Sequence, residues 1–255
     1  MRGPIRFFCF LSLFMIVLSD IGFAEECAKA LEQGKLHFAR YDQGQKEFDL
    51  AQAAYLEAVK DPACAYEAYW RLADLHLCWG TVQKEKAVKI AIFQKGIQFA
   101  EKAVETNPNG PEGHYQYCVN QGSIIDIEGA MMNLGKVRKI KKANDKALSL
   151  NPNFAPALAV DGRFEIDMPG LFGGSNKRGE EQLRKAIRAA PDYETSYTEL
   201  AAFLIKEKRY QEAQQTLEKL LAPDFKHEFN APWLTIDKPK ALELQKKIQS
   251  APDSK

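Results

Sequence analysis

The stretch that decides the fold is Pro191-Asp192-Tyr193-Glu194-Thr195-Ser196-Tyr197-Thr198-Glu199-Leu200-Ala201, together with the nineteen residues that follow it. Counted from Pro191, Tyr197, Leu200, Ala201, Leu204, Tyr210, Ala213, Leu217 and Leu220 fall at offsets 6, 9, 10, 13, 19, 22, 26 and 29. Apolar residues at steps of three and four mark one face of an α-helix. The change of phase between Leu204 and Tyr210 marks a second helix antiparallel to the first. Small residues within both stripes let two helix axes approach closely.

Three further copies precede it. Asp61-Pro62, Thr106-Asn107-Pro108-Asn109 and Leu150-Asn151-Pro152-Asn153 each follow a helix whose last turns carry alanine: Ala58-Val59, Ala103-Val104 and Ala147-Leu148. Ala186-Ile187 stands in the same relation to Ala190-Pro191. The prolines at 62, 108, 152 and 191 are spaced by 46, 44 and 39 residues. A period in this range is the signature of stacked supersecondary units. The unit resembles the tetratricopeptide repeat, a 34-residue helix pair, with Leu220 where that repeat usually has alanine. The resemblance implies an all-α solenoid of about five helix pairs over residues 25–222. A loop and a capping helix from about Lys238 to Ile248 close it, with Asp237 as candidate N-cap. The excess over 34 residues falls between the paired helices.

Composition sets the bounds. The chain has 255 residues, 45% of them hydrophobic and 27% charged, as in an ordinary globular protein. Its net charge of +1 supplies no global field for nucleic acid or an anionic membrane. The first 24 residues read as an address: Arg2 and Arg6, an apolar run from Phe7 to Leu18, then Gly22 and Ala24 at −3 and −1 of an expected cleavage site. No small residue directly precedes Cys27, so a lipid anchor is not expected. Export places Cys27, Cys64, Cys78 and Cys118 in an oxidising compartment, the periplasm. Four cysteines allow three full connectivities. Cys64 and Cys78 lie about 21 Å apart along one helix and cannot pair. Cys27 and Cys64 each open the first helix of neighbouring pairs, which run parallel, and form the preferred pair.

Chemistry is sparse. His37, His76, His114 and His227 belong to no ligand motif, and the i,i+4 pair His114 and Cys118 lacks further ligands, so no metal, cofactor or catalytic residue is expected. Pro169-Gly170-Leu171-Phe172-Gly173-Gly174-Ser175 reads as a tight connection with Ser175 as N-cap, its Leu171 and Phe172 available for a partner. Lys136, Arg138, Lys139, Lys141 and Lys142 form a basic run that reads as a solvated face, with an acidic partner or lipid headgroups as the alternative. Function then falls to the concave groove lined by the first helix of each pair. Its expected residues are Glu67, Trp70 and Asp74, then Tyr115, Val119 and Gly122, then Ala159, Arg163 and Ile166, and finally Thr198, Ala202 and Ile205. Such a surface suits an extended peptide, a partner helix or a hydrophobic small molecule.

Gly113-His114-Tyr115-Gln116-Tyr117, the long insertion before Lys139-Ile140, Leu150-Asn151-Pro152-Asn153-Phe154 and the Pro169–Ser175 loop together resemble the T component of TRAP transporters, the TatT family. That resemblance implies a periplasmic, non-enzymatic adaptor that associates with a solute-binding protein, handles hydrophobic ligands and self-associates, in part as a trimer with a pore. An envelope assembly scaffold for outer-membrane, pilus or secretion complexes is the alternative.

Overall fold

The computed structural model describes residues 25–170, 174–227 and 229–251. The expected leader with its cleavage after Ala24, and the Leu171-Phe172 contact, lie outside the described residues. Helix α1 spans residues 25–38, followed by α2 (Gln45–Ala58), α3 (Pro62–Val82), α4 (Lys86–Thr106), α5 (Pro111–Glu128) and α6 (Leu134–Leu150). Then come α7 (Ala155–Asp167), α8 (Asn176–Ala189), α9 (Glu194–Lys206), α10 (Tyr210–Leu220) and α11 (Lys238–Gln249). Strands are absent among the described residues. Consecutive helices pack against one another, and among the first helices α3 stacks on α5 and α7 on α9, with α6 between α5 and α7.

The repeat signal has a local physical origin. Asn107 and Asn151 each accept a hydrogen bond on the side-chain oxygen from the amide two residues on, Asn109 at 3.1 Å and Asn153 at 3.0 Å. This Asx turn needs Asn first, and the proline between tolerates having no amide to offer. Asp61 caps α3 in the same spirit, accepting from the Ala63 amide at 2.8 Å, with Pro62 in the first turn. Ser175 caps α8 by accepting from the Arg178 amide at 3.3 Å. Ala58, Ala103, Ala147, Ala186 and Ala213 are all fully buried at helix crossings. In the second pair the extra length lies in the helices themselves: α3 and α4 have 21 residues each, joined by only three.

Two large cores result. The first gathers α1 to α4 around Phe38, Tyr41, Tyr55, Leu72 and Leu75. The second gathers α7 to α11 around Leu158, Leu183, Leu200, Leu204 and Leu217. Cys27 and Cys64 form a disulfide, Cα atoms 6.0 Å apart, tying α1 to the start of α3. Cys78 and Cys118 are free and buried.

The tail differs from the sequence reading. After α10 the chain does not merely cap the last pair. Residues 229–237, a turn of α-helix (Asn230–Pro232) running into a π-turn (Trp233–Asp237), cross the concave side. Ala231 is buried in the first core and Trp233 in the second. The Tyr41 and Thr235 hydroxyls share a hydrogen bond of 2.7 Å, and Phe229 packs edge-on against Phe38 at 5.0 Å. Asp237 does not cap α11. Its backbone is already helical, and its carboxylate accepts from the Thr195 and Thr198 hydroxyls, each at 3.4 Å. The groove expected to lie open is therefore strapped by the chain's own C-terminal segment.

Candidate binding chamber

Beneath the strap lies a chamber of about 540 Å³. Its walls come from the first helices: Trp70, Arg71, Asp74 and Leu77 of α3, Tyr115, Gln116 and Val119 of α5, and Ala159, Val160 and Arg163 of α7. Glu194, Thr195 and Glu199 of α9 complete that side. Phe229, Pro232, Ile236, Asp237 and Lys240 of the strap and the start of α11 form the other. In a solenoid, helices of the same rank in successive pairs present side chains to the inner curve, which is why positions separated by one repeat meet here.

Aromatic geometry fixes the wall. Tyr115 meets Phe154 edge-on at 5.5 Å, and its hydroxyl lies 3.3 Å from that of Tyr193. Burial raises both phenols well above their ordinary value, so they stay protonated. The Arg71 guanidinium lies over the Trp70 ring, 4.2 Å from its centroid, while Glu67 accepts from Arg71 Nε at 2.9 Å. Arg163 is engaged by Asp126 at 3.0 Å and Asp167 at 3.3 Å, and Lys240 by Glu199 at 2.7 Å. Asp74 accepts from Gln116 Nε2 at 3.0 Å. His227 stacks on Trp233 at 4.1 Å. Burial holds it below its ordinary pKa, so the neutral ring donates Nδ1–H to Glu194 at 2.9 Å.

Of the residues the sequence placed on the groove, Trp70, Asp74, Tyr115, Val119, Ala159 and Arg163 line the chamber. Glu67 does not. It lies between Arg71 and Lys35, 2.9 and 3.2 Å away, and steadies the arginine from outside. Thr198 is fully buried under Asp237, and Ile166 and Ala202 pack against the second core. The strap therefore covers Thr198, and packing within the second core takes up Ile166 and Ala202. Tyr193, Glu194, Glu199, Phe229, Ile236 and Asp237 were not anticipated. The signal that points to the strap residues is the apolar series Phe225, Phe229 and Trp233 in a segment without a repeat partner.

His76 is a packed side chain. It donates to the Leu72 carbonyl at 2.8 Å, and burial lowers it to about 4, so it is uncharged. His114 bonds the Pro108 carbonyl at 3.0 Å. Among the described residues no group of three or more His, Cys, Asp or Glu side chains is arranged to hold a metal ion.

Comparison with solved structures agrees with this architecture. A thermophilic TPR protein of Thermus thermophilus superposes with a TM-score of 0.62 at 19% identity, covering 88% of this chain and 99% of that one. Pseudomonas aeruginosa PilF gives 0.51 at 14% identity, covering 89% and 92%. Both show a shared all-α tetratricopeptide-type fold. In sequence, regulator of microtubule dynamics protein 1 of Bos taurus is 28% identical over 167 residues, 59% of this chain and 51% of that protein. The chain thus spans about half the length of this curated relative. This similarity does not show the T-component family. Because the family model described as regulator of microtubule dynamics protein 1-3 matches residues 30–171, more than half of the sequence, the chain belongs to that family.

Proposed function

We propose that this protein is a non-enzymatic binding scaffold of the periplasm whose ligand is a compact, largely apolar molecule held in the strapped chamber. The observation that carries this reading is the covering of the inner face by residues 229–240, which turns an open trough into a partly covered cavity of about 540 Å³. That volume falls within the range of small-molecule sites, about 300–1,000 Å³. An extended peptide running along the inner face would collide with the strap. The chamber wall carries the carboxylates of Asp74, Glu112, Glu194, Glu199 and Asp237; of its cations, Lys240 pairs with Glu199, and Arg71 and Arg163 are engaged by Glu67 and Asp126 outside the lining. The ligand is therefore neutral or cationic at its polar end, since an anion would meet a net negative wall.

The Cys27–Cys64 bridge supports an oxidising compartment. A partner protein, such as the solute-binding protein that the T-component resemblance implies, would deliver the ligand. The tetratricopeptide-type fold supports such a protein contact.

The test is binding of a neutral apolar probe, N-phenyl-1-naphthylamine, followed through its emission. The wild-type protein is expected to bind it saturably. Val119→Trp, which fills the chamber from α5, is expected to lower affinity at least about tenfold while helical circular dichroism is retained. Equal affinity in the two proteins would take the chamber out of the mechanism.

A further inference from the structure

The connection between α5 and α6 points to a second interaction surface, away from the chamber. α5 ends at Glu128 and is followed by Gly129, whose φ of +96° lies in the left-handed region that favours glycine. The chain then makes a single 3₁₀ turn, Ala130–Asn133, before α6 begins. Asn133 Nδ2 donates to the Gly129 carbonyl at 2.9 Å, closing the turn on itself. This tip carries Met132, 87% exposed, and Leu134, 57% exposed. Two large aliphatic side chains so bare and so close together leave apolar surface in water that only a partner would remove.

Directly behind the tip lies the basic run. Leu134, Arg138 and Lys142 follow at i, i+4 and i+8, one row on the helix surface, with Lys139 and Lys146 beside them. Arg138, Lys139, Lys142 and Lys146 are exposed. The opposite side of α6 is committed to the fold. Ile140 packs with Cys118 and Ile125, and Asn144 donates to the Ala157 carbonyl at 3.0 Å. The acids nearby are already engaged: Glu128 by Lys136 at 3.0 Å, Asp145 by Lys141, and Asp161 by Lys141 at 3.2 Å. The outer face therefore presents an aliphatic end and a cationic flank.

We propose that this tip and the outer face of α6 dock the protein on an anionic bilayer surface. The arrangement matches the cross-section of such a surface. Met132 and Leu134 would enter the headgroup and upper acyl region, where interfacial elements seat their apolar residues about 5–10 Å deep. Arg138, Lys139 and Lys142 would lie level with the phosphates, each favoured by the negative surface potential. Nucleic acid would answer the cations and leave the aliphatic pair in water. No helix among the described residues is long and apolar enough to cross a membrane, so the attachment through this surface is peripheral.

The test is co-sedimentation of the full chain with vesicles of phosphatidylcholine alone and with about one third phosphatidylglycerol. Partition into the anionic vesicles only is expected, falling at least about tenfold when salt rises from about 50 to about 500 mM. Arg138→Glu, Lys139→Glu and Lys142→Glu combined is expected to lower it about a hundredfold. Met132→Ser with Leu134→Ser is expected to lower it about tenfold, leaving binding to soluble polyglutamate unchanged. All these positions are exposed, and circular dichroism verifies that the variants fold. Absence of vesicle binding, equal binding to neutral vesicles, or an undiminished Met132→Ser/Leu134→Ser variant would each overturn the proposal. The last result would leave a patch for acidic proteins.

Discussion

Asp237 is a carboxylate held where charge is disfavoured. It is 5% exposed, and burial together with the Glu194 carboxylate pushes its pKa from 3.8 up to about 6. The sign of the consequence follows. Between about pH 4 and pH 6 the folded chain keeps a proton that the unfolded chain has released, so this group lowers stability as pH rises through that window. A shift of this size corresponds to about 2–3 kcal/mol. Asp237→Asn is expected to raise stability at pH 7.5 by about 2 kcal/mol and to leave it unchanged near pH 4. The denaturant midpoints of the two proteins at the two pH values check this, and equal midpoints at pH 7.5 would refute it. Ala213 offers the reverse case. It is fully buried between α9 and α10, and Ala213→Asp would place an unpaired charge there, at a cost of about 3 kcal/mol or more. Urea unfolding reads that loss directly, and retained stability would mean that the crossing is not where the repeat puts it. Gly96 had no such legibility. A methyl group there would lie 2.0 Å from Asn120 Oδ1, a contact between α4 and α5 that no sequence period announces.

At the scale of elements, the sequence announces whatever is settled within about forty residues. The helix pairs were legible because each is closed by a local device, an Asx turn or an alanine crossing, that repeats with the unit. The strap was not, because its contacts run from residues 229–240 both to α9 and across the molecule to residues 38–79, and have no period. The same distinction separates Trp70 and Tyr115, which hold their repeat position on the inner curve, from Thr198 and Ala202, whose position the strap and the second core cover. The bridge between α1 and α3 spans 37 residues. Closing a loop of that length in the unfolded chain contributes about 3–4 kcal/mol. Cys27→Ser with Cys64→Ser is therefore expected to lower stability by about that amount and to speed amide exchange in α1 and α2 far more than in α8 to α10. Uniform acceleration along the chain would show that the bridge acts on the whole fold and not on its first pairs.

The strap also changes how the molecule should unfold. An open solenoid is a line of nearest-neighbour contacts, and its ends can fray independently. Here Ala231 sits in the first core and Trp233 in the second, so the two ends are joined through two residues of one segment. A join of this kind makes the unfolding of either core expose apolar surface in the other, and the transition is expected to be single and steep. Ala231→Asp places a charge in the first core on the part of the chain most easily released. The least costly response is for residues 229–237 to lift away while α1 to α4 keep their own packing. The expected outcome is a lower denaturant slope or two resolved transitions, since each core then exposes its surface separately. Amide protection should be lost in residues 225–249 first, and the neutral apolar probe should no longer bind, because the chamber has lost one wall. A single transition of undiminished slope with intact protection in the strap would mean that the two cores communicate along the helices alone, and that the strap contributes shape without cooperativity.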